Sequence, residues 1–391
     1  MEQIFSFNCF CKRLNFFATF ALSQMAKGNL FGNTQKIWYF SYLFVTLRPK
    51  SYKQIMKHVT IKDIARELVV SVSTVSRALN NDTSIRKETR EKIQTAAKRM
   101  GYVPNPVATN LKYGRTKTIG VIVPEMLTPY AAMVIDGIQD ICYHNNYKVI
   151  IASSGEDAEK ERESLDIMMQ FMIDGIIACR CNYNKNTELY HKIQEQHIPL
   201  VFYDRIPYNI EAPQVIVDDE TKAFFLVEHL IRAGKRNIAF IGANFDTVYN
   251  SVLRHKGYRA ALQRYGLEYN SNIVIQTAGL SYSDGAAAVD KLRHEKTDAI
   301  FAFTDTLAIG AMNRLKSMGR IIPKEVAVAG FSGTNLCTIV SPQLTTVEPR
   351  QFEMGQRAAE LIIKHITNSS SDKKEQVIID ADIIYRDSTE T

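Results

Sequence analysis

The stretch Val59–Leu79, VTIKDIARELVVSVSTVSRAL, decides how the rest of the chain is read. Thr60 is a good helix cap, and Ile61, Ile64, Ala65 and Leu68 recur behind it at the spacing of one apolar helix face. A second cap-like residue, Ser71, begins a helix reaching about Leu79, with Val75, Ala78 and Leu79 inward. Its other face shows Val72, Ser73, Ser76 and Arg77. Hydroxyls, one small apolar group and one arginine on a short helix suit the major groove of DNA. A surface helical hairpin of no special purpose is the alternative, and the residues downstream decide between them.

Asn80–Ser84 is a polar turn, and Arg86–Met100 then reads as a third helix. Ile93, Ala96, Ala97 and Met100 close a small three-helix core, and Gly101 ends it at the position where glycine takes a left-handed conformation. Pro104 and Pro106 forbid ordinary helix up to Asn105, whereas Pro106 suits a first helical turn. The piece from Pro106 to Lys112 has too few turns to hold alone, so it orders only on contact or serves as a plain linker.

From Lys117 onward, apolar strands alternate with amphipathic helices. Strands are expected at Ile119–Val123, Val149–Ser153, Gly175–Ala178, Leu200–Tyr203, Ile238–Ile241, Ala299–Phe303 and Val326–Phe331. Helices are expected at Ala131–His144, Lys160–Met172, Lys222–Ala233, Val252–Tyr265, Gly285–Arg293 and Leu307–Met318. This alternation implies parallel sheets covered on both faces. The pattern renews after Asp204, so two doubly wound subdomains are expected to face one another, with ligands at the carboxyl ends of their strands.

Charge is unevenly spread over the 391 residues. Residues 1–56 carry a net +6 and residues 57–116 a net +7, yet the whole chain totals +7, which leaves about −6 for the remainder. A basic head on an acidic body fits a polyanion-binding module fused to a domain with another task. The six cysteines (Cys9, Cys11, Cys142, Cys179, Cys181 and Cys337) show no disulfide framework, and the Cys179-x-Cys181 spacing is wrong for a zinc knuckle. Free thiols in a reducing, cytoplasmic setting are expected.

Residues 1–55 match nothing downstream. Lys12-Arg13 followed by Leu14–Leu22 resembles a weak signal peptide, but this apolar run and Ile37–Val45 are both too short to span a bilayer. Met56 stands directly before the first helix, so residues 1–55 are read as a non-native or disordered extension.

Enzymatic readings find no support. The phosphate loop G-x-x-x-x-G-K-[ST], G-x-G-x-x-G after a strand, H-E-x-x-H and G-x-S-x-G are all missing. The eight histidines are scattered, His229 and His255 read as helix-face residues, and no catalytic residue, metal site or cofactor is expected. Glu156-Asp157, Glu161 and Glu163 read as a solvated acidic run around a helix start.

Val59–Leu79, Gly101-Tyr102-Val103-Pro104-Asn105 and Thr118-Ile119-Gly120-Val121-Ile122-Val123-Pro124 together resemble the lactose-repressor (LacI) family of bacterial transcription regulators. The likeness runs from about Lys57 to Ser388. It implies an all-α helix-turn-helix head (57–103), a hinge helix and linker (104–116), and a periplasmic-binding-protein-like α/β body (117–388). Within the body it implies three crossings between halves, near Asp204, Ile322 and Pro349. The N-subdomain would hold about 117–204 and 323–349, the C-subdomain about 205–322 and 350–388.

Carried over by position, the resemblance implies that Val72, Ser73 and Arg77 face base edges. Thr60, Ser71, Thr74, Ser76 and Asn80 would serve phosphates and orientation. Asn105 lies in the matched DNA-binding segment. Ala108 and Leu111 match hinge residues, with the leucine wedging into the minor groove. One departure is Val69, at a turn position usually held by a residue tolerant of positive φ; left-handed geometry there costs about 1–2 kcal/mol.

For the body, the resemblance makes Asp305 an acceptor for an effector's hydroxyls or amines, against the alternative of a plain helix cap. It places Arg254, on the first turn of its helix, at the effector. Tyr130 offers a ring to stack on a sugar or base, with core packing as the alternative. Asp204-Arg205 lines or braces the cleft, and Leu280 stands where the family often has an aromatic platform. Phe331 is placed at the site, followed by Ser332 where an aspartate is common. The expectation is a ligand-responsive regulator, most often a repressor. A homodimer or tetramer would read a near-palindromic operator in double-stranded DNA under control of a sugar-like effector. The rivals are a two-lobed periplasmic sugar receptor and a cytosolic sugar-modifying enzyme.

Overall fold

The computed structural model describes residues 59–103, 115–207, 209–368, 372 and 374–390. The chain divides into two compact units, with the boundary between Asn105 and Pro106. The expected hinge residues Asn105, Ala108 and Leu111 lie outside the described residues, as does the extension 1–55.

The first unit holds α1 (Ile61–Leu68), α2 (Val72–Leu79) and α3 (Lys87–Met100). Thr60 and Asp63 form a reciprocal cap: the Thr60 N–H donates to the Asp63 carboxylate at 2.9 Å, and the Thr60 side chain accepts from the Asp63 N–H at 3.4 Å. Ser71 caps α2 by accepting from the Thr74 N–H at 3.0 Å. Ile64, Ala65, Val75, Ala78, Ile93 and Ala97 form the buried core. Val69 does take the left-handed conformation, φ 55° and ψ 44°, so the turn is kept and a β-branched residue carries its cost. Gly101 closes α3 at φ 68°.

The second unit begins with β1 (Thr118–Val123), α4 (Pro129–His144), β2 (Lys148–Ser153), α5 (Ala158–Gln170), β3 (Gly175–Ala178), α6 (Thr187–Glu195), β4 (Leu200–Tyr203) and β5 (Gln214–Val217). It continues through α7 (Asp219–Arg232), β6 (Ile238–Gly242), α8 (Tyr249–Arg264), β7 (Val274–Gln276), α9 (Tyr282–Lys291), β8 (Ala299–Ala302), α10 (Asp305–Ser317) and β9 (Ala327–Phe331). The last elements are α11 (Leu336–Ile339), β10 (Thr345–Glu348), α12 (Gln351–Thr367), β11 (Gln376–Ile379) and β12 (Asp382–Ile384).

These strands make two six-stranded sheets. One runs β11-β5-β4-β3-β1-β2, all parallel; the other runs β12-β10-β9-β8-β6-β7, parallel except for β12. The strands in the middle of each sheet are buried on both faces, so their sequences read as continuous apolar runs.

Sheet membership corrects the expected crossings. The N-lobe is 117–217 with α12 and β11; the C-lobe is 219–348 with β12 and the tail after it. The chain crosses at 218, at 349–350 and at 380–381, so the expected crossings near Asp204 and Ile322 are wrong. After Asp204 the chain stays in the N-lobe, because β5 pairs in parallel with β4 (Phe202 opposite Gln214). β5 has four residues and only alternate burial, so it reads as loop in the sequence. Likewise Val326–Phe331 belongs to the C-lobe, where β9 pairs with β8.

The return of α12 to the N-lobe depends on two glycines. A Cβ on Gly137 of α4 would stand 2.1 Å from the Phe352 carbonyl oxygen, and one on Gly355 of α12 would stand 2.1 Å from that of Val134. Backbone contact this close packs the late helix directly against the early one.

Candidate functional site

On the head, α2 presents a continuous polar surface. Val72, Ser73 and Arg77 are exposed, as are Thr60, Ser71 and Asn80, while Thr74 and Ser76 are half-buried. The Ser71 hydroxyl bonds with those of Ser73 (2.7 Å) and Thr74 (2.8 Å), and Asn80 Nδ2 donates to the Ser76 carbonyl at 2.8 Å. These bonds pre-set hydroxyl positions at the start of the helix. Arg77 forms no ion pair among the described residues, which leaves its fork of donors open.

In the second unit the strand ends enclose a cleft of about 500 Å³, within the usual range of about 300–1,000 Å³ for a ligand site. Tyr130, Arg254 and Leu280 line it, together with Asp204 and Arg205. Tyr130 also donates to the Met354 sulfur at 3.4 Å, so it combines wall and packing roles. Arg254 lies in the second turn of α8, one turn later than expected. Its Nε donates to Asp219 Oδ1 at 2.7 Å and its Nη1 to the Phe303 carbonyl at 2.5 Å. Its guanidinium stands 3.6 Å from the Phe331 ring centroid and 4.4 Å from that of Phe303. Phe331, fully buried, is therefore the surface on which Arg254 lies and does not itself line the cleft.

Asp305 is placed differently from the expectation. It is 1% exposed and is absent from the cleft wall, which Thr304 and Thr306 supply. Its Oδ2 accepts from the Thr334 N–H (2.8 Å), the Thr334 hydroxyl (3.0 Å) and the Cys337 thiol (3.1 Å); its Oδ1 accepts from the Thr346 hydroxyl at 2.5 Å. With both oxygens occupied, the carboxylate ties α10 to the strand ends behind the cleft and is not free for an effector. Neither is it the plain cap, since Thr304 does that by accepting from the Leu307 N–H. Burial raises its pKa, against the pull of these donors.

The acidic run is also corrected. Glu161 is fully buried, accepting from the Cys181 N–H at 2.9 Å and the Tyr190 hydroxyl at 3.2 Å. Glu156 reaches into the cleft and holds Arg205 bidentately at 2.8 and 2.9 Å. Asp219 and Asn250 are participants that sequence reading missed. Asn250 Nδ2 donates to Asp204 Oδ1 (3.0 Å) and to Asp219 Oδ2 (3.2 Å), which joins the two lobes beside Arg254. A second bridge lies farther along: the Tyr183 N–H donates to the Thr247 carbonyl at 3.2 Å and Asn184 Nδ2 to that of Asp246 at 3.0 Å. Cys142, Cys179, Cys181 and Cys337 are free and buried. Among the described residues no helix is long and apolar enough to cross a membrane.

Comparison with known proteins accords with this anatomy. The family of bacterial regulatory proteins of the lacI type matches residues 60–105, and a periplasmic binding protein-like domain matches residues 227–389. Catabolite control protein A of Priestia megaterium is 34% identical over 317 residues, 81% of this chain and 95% of that protein. The solved complex of the transcriptional regulator CelR with cellobiose is 26% identical, at a TM-score of 0.64 over 85% of this chain and 100% of that one. The lac repressor dimer bound to operator and the anti-inducer ONPF shares the fold, with a TM-score of 0.75 at 21% identity, over 86% of this chain and 100% of that one. With a capped three-helix head carrying an open arginine and two largely parallel sheets about a cleft, these matches place this chain in the LacI family of DNA-binding transcriptional regulators, whose members are not enzymes.

Proposed function

We propose that the chain acts as a repressor, pairing as a homodimer so that two heads read the half-sites of a near-palindromic operator, and that a sugar or sugar derivative in the interlobe cleft controls it. LacI-family regulators bind operator DNA and small effectors, often as dimers. The observation that carries the reading is the exposed face of α2, where Val72, Ser73 and Arg77 stand clear of the core. Arg77 pairs with guanine, Ser73 adapts to its neighbour, and Val72 touches a thymine methyl. Thr60, Ser71, Thr74, Ser76 and Asn80 hold phosphates and set the register. Asn105, Ala108 and Leu111 complete the contact, the leucine as a minor-groove wedge.

On the effector side, Tyr130, Leu280 and Arg254 meet the ligand, while Phe331 and Asp305 hold Arg254 and α10 in place. The sugar reading is supported by the cellobiose bound to the related CelR. Binding in the cleft changes the angle between lobes, and by linkage the operator changes effector affinity by the same factor. The test is selection of bound sequences from random duplex DNA by the full chain, with and without a panel of sugars. A palindromic consensus whose occupancy shifts with one sugar is expected; no preference among duplexes at moderate salt, with or without sugar, defeats the reading.

A further inference from the structure

The chain enters the second unit through a clamp. The Asp174 carboxylate, just ahead of β3, accepts from the Thr116 N–H at 2.6 Å, the Thr116 hydroxyl at 2.9 Å and the Lys117 N–H at 3.0 Å. Arg115 Nη2 donates to the Ile366 carbonyl at 3.2 Å, in the last turn of α12. A helix leaves its last four carbonyls without partners of its own, so this one can take the contact. The side chains of Ile362 and Ile366 also cover Gly175, where an added Cβ would stand 2.9 Å from Ile362 and 3.1 Å from Ile366. Residues 115–117, which lead along the chain to the head, are thus held by Asp174 and by the end of α12.

The other end of α12 lies at the cleft. Gln351 Nε2 donates to the carbonyl of Ser332, a C-lobe residue of the cleft wall. Tyr130, from the N-lobe wall, donates to the Met354 sulfur at 3.4 Å. Arg350, one residue ahead of the helix, donates twice to Asp382 of β12, at 2.9 and 3.1 Å. The start of α12 is therefore bonded to both lobes, and among the described helices of the N-lobe it alone begins at a crossing. Its 17 residues then run about 25 Å to the linker end. A non-glycine residue in the left-handed region marks each end, Arg350 at φ 49° and Lys117 at φ 51°. Such residues persist only where the surroundings over-determine them, and they gather at switch segments. Between the ends there is little slack, since Met354 and Ile362 are fully buried and close-packed side chains pass a displacement on.

Resting on the reading that this cleft holds the effector, we propose that α12 is the element that carries the angle between the lobes to the DNA linker, with Gln351 as its input and Asp174 as its output. When the lobes turn, Arg350 and Gln351 draw the first turn of α12 with the C-lobe, Ile362 and Ile366 shift over Gly175, and Asp174 re-aims Thr116 and Lys117. Strands β1, β3 and β4 also run toward the cleft, but they are paired along their length within one sheet and turn with the lobe as a single body. Gln351 and Asp174 do not line the cleft, so both are positioning residues.

The test is hydrogen exchange read by mass spectrometry on the full chain, at residues 115–119 and 351–356. Gln351→Met keeps the bulk and removes the donor; it should speed exchange at 115–119 about fivefold, and the milder Tyr130→Phe about twofold. Coupling is reciprocal, so Asp174→Ala should speed exchange at 351–356 about threefold. Helix α6, in the same lobe but off this route, should not change in any variant, which separates a relay from general loosening. Thermal unfolding checks each fold, and Tyr130→Phe decides where Gln351→Met does not fold. No response at 115–119 to a folded cleft-end variant, or a response shared equally by α6, overturns the proposal. Adding the duplex recovered by selection from random DNA should slow exchange at 351–356 in the unaltered chain and not in Asp174→Ala; equal slowing in both overturns it as well. If selection recovers no duplex, the regulator reading falls, while the response of 115–119 to Gln351→Met, measured without DNA, still decides the relay.

Discussion

Arg254 Nε donates to Asp219 Oδ1 at 2.7 Å, with both side chains almost sealed from solvent. Asp219 opens α7 just past the first crossing, so the pair couples a lobe junction to the cleft. Burial pushes the Asp219 carboxyl up to about 6, with Arg254 pulling it down. At pH 7.5 the carboxylate is ionised and the pair intact; as pH falls through about 6 a proton enters and Arg254 loses its counter-charge. Effector affinity should therefore fall roughly tenfold between pH 7.5 and pH 5, and Asp219→Asn should flatten that dependence. The stability term has the opposite sign. Because the folded value lies above the ordinary one, this group stabilises the fold fully below about pH 4 and loses that contribution as pH rises through 6. Weaker binding at pH 5 with no drop in Tm is the expected pattern, read by calorimetry and thermal unfolding on the same samples.

Much of this was legible in the sequence, for identifiable reasons. The head was readable because Thr60, Ser71 and Gly101 are local punctuation whose chemistry acts within four residues. Six of the seven apolar runs are readable because a strand buried on both faces has no polar alternation, while β2 is an edge strand without a buried residue and is read from its apolar run alone. Partnership was not readable. Glu161 sits among acidic neighbours, yet its burial is set by Tyr190 and the Cys181 backbone, arriving from two other elements. Asp305 was recognised as important, but its work is decided by Thr334 and Thr346, 29 and 41 residues later. The crossings are hidden for the same reason: β5, only four residues long, is defined by its pairing with β4, and β9 belongs to the C-lobe by its pairing with β8.

Asp305→Ala should act first on the stability of the C-lobe. It removes the acceptor for Thr334, Thr346 and Cys337, all buried, and an unsatisfied buried donor costs about 1–3 kcal/mol. A loss of about 3 kcal/mol in urea denaturation is expected, with Asp305→Asn keeping part of it. A variant with unchanged stability and abolished effector binding would return Asp305 to the cleft wall.

Val69→Gly should stabilise the head. At φ 55° and 90% exposure, Val69 carries left-handed strain without burying its side chain in return. Relief of about 1 kcal/mol is expected, less than the full strain because glycine also loosens the unfolded chain. The check is thermal unfolding of the full chain followed by a signal from the head, and Val69→Asn should fall between the two.

Arg77→Ala and Thr60→Ala separate reading DNA from holding the reader in shape. Arg77 makes no side-chain ion pair or hydrogen bond among the described residues, so its removal should leave the Tm unchanged. It should remove about 1–3 kcal/mol of discrimination at one base position, measured by competition between matched and mismatched duplexes. Effector affinity measured without DNA should not move. Thr60 instead exchanges bonds with Asp63 at the start of α1, so its alanine variant should cost about 1 kcal/mol of head stability. Its effect on affinity should then be similar for matched and mismatched duplexes, because a loosened frame weakens every sequence alike. If Arg77→Ala left the footprint and the mismatch penalties unchanged, α2 would not be the element that reads bases.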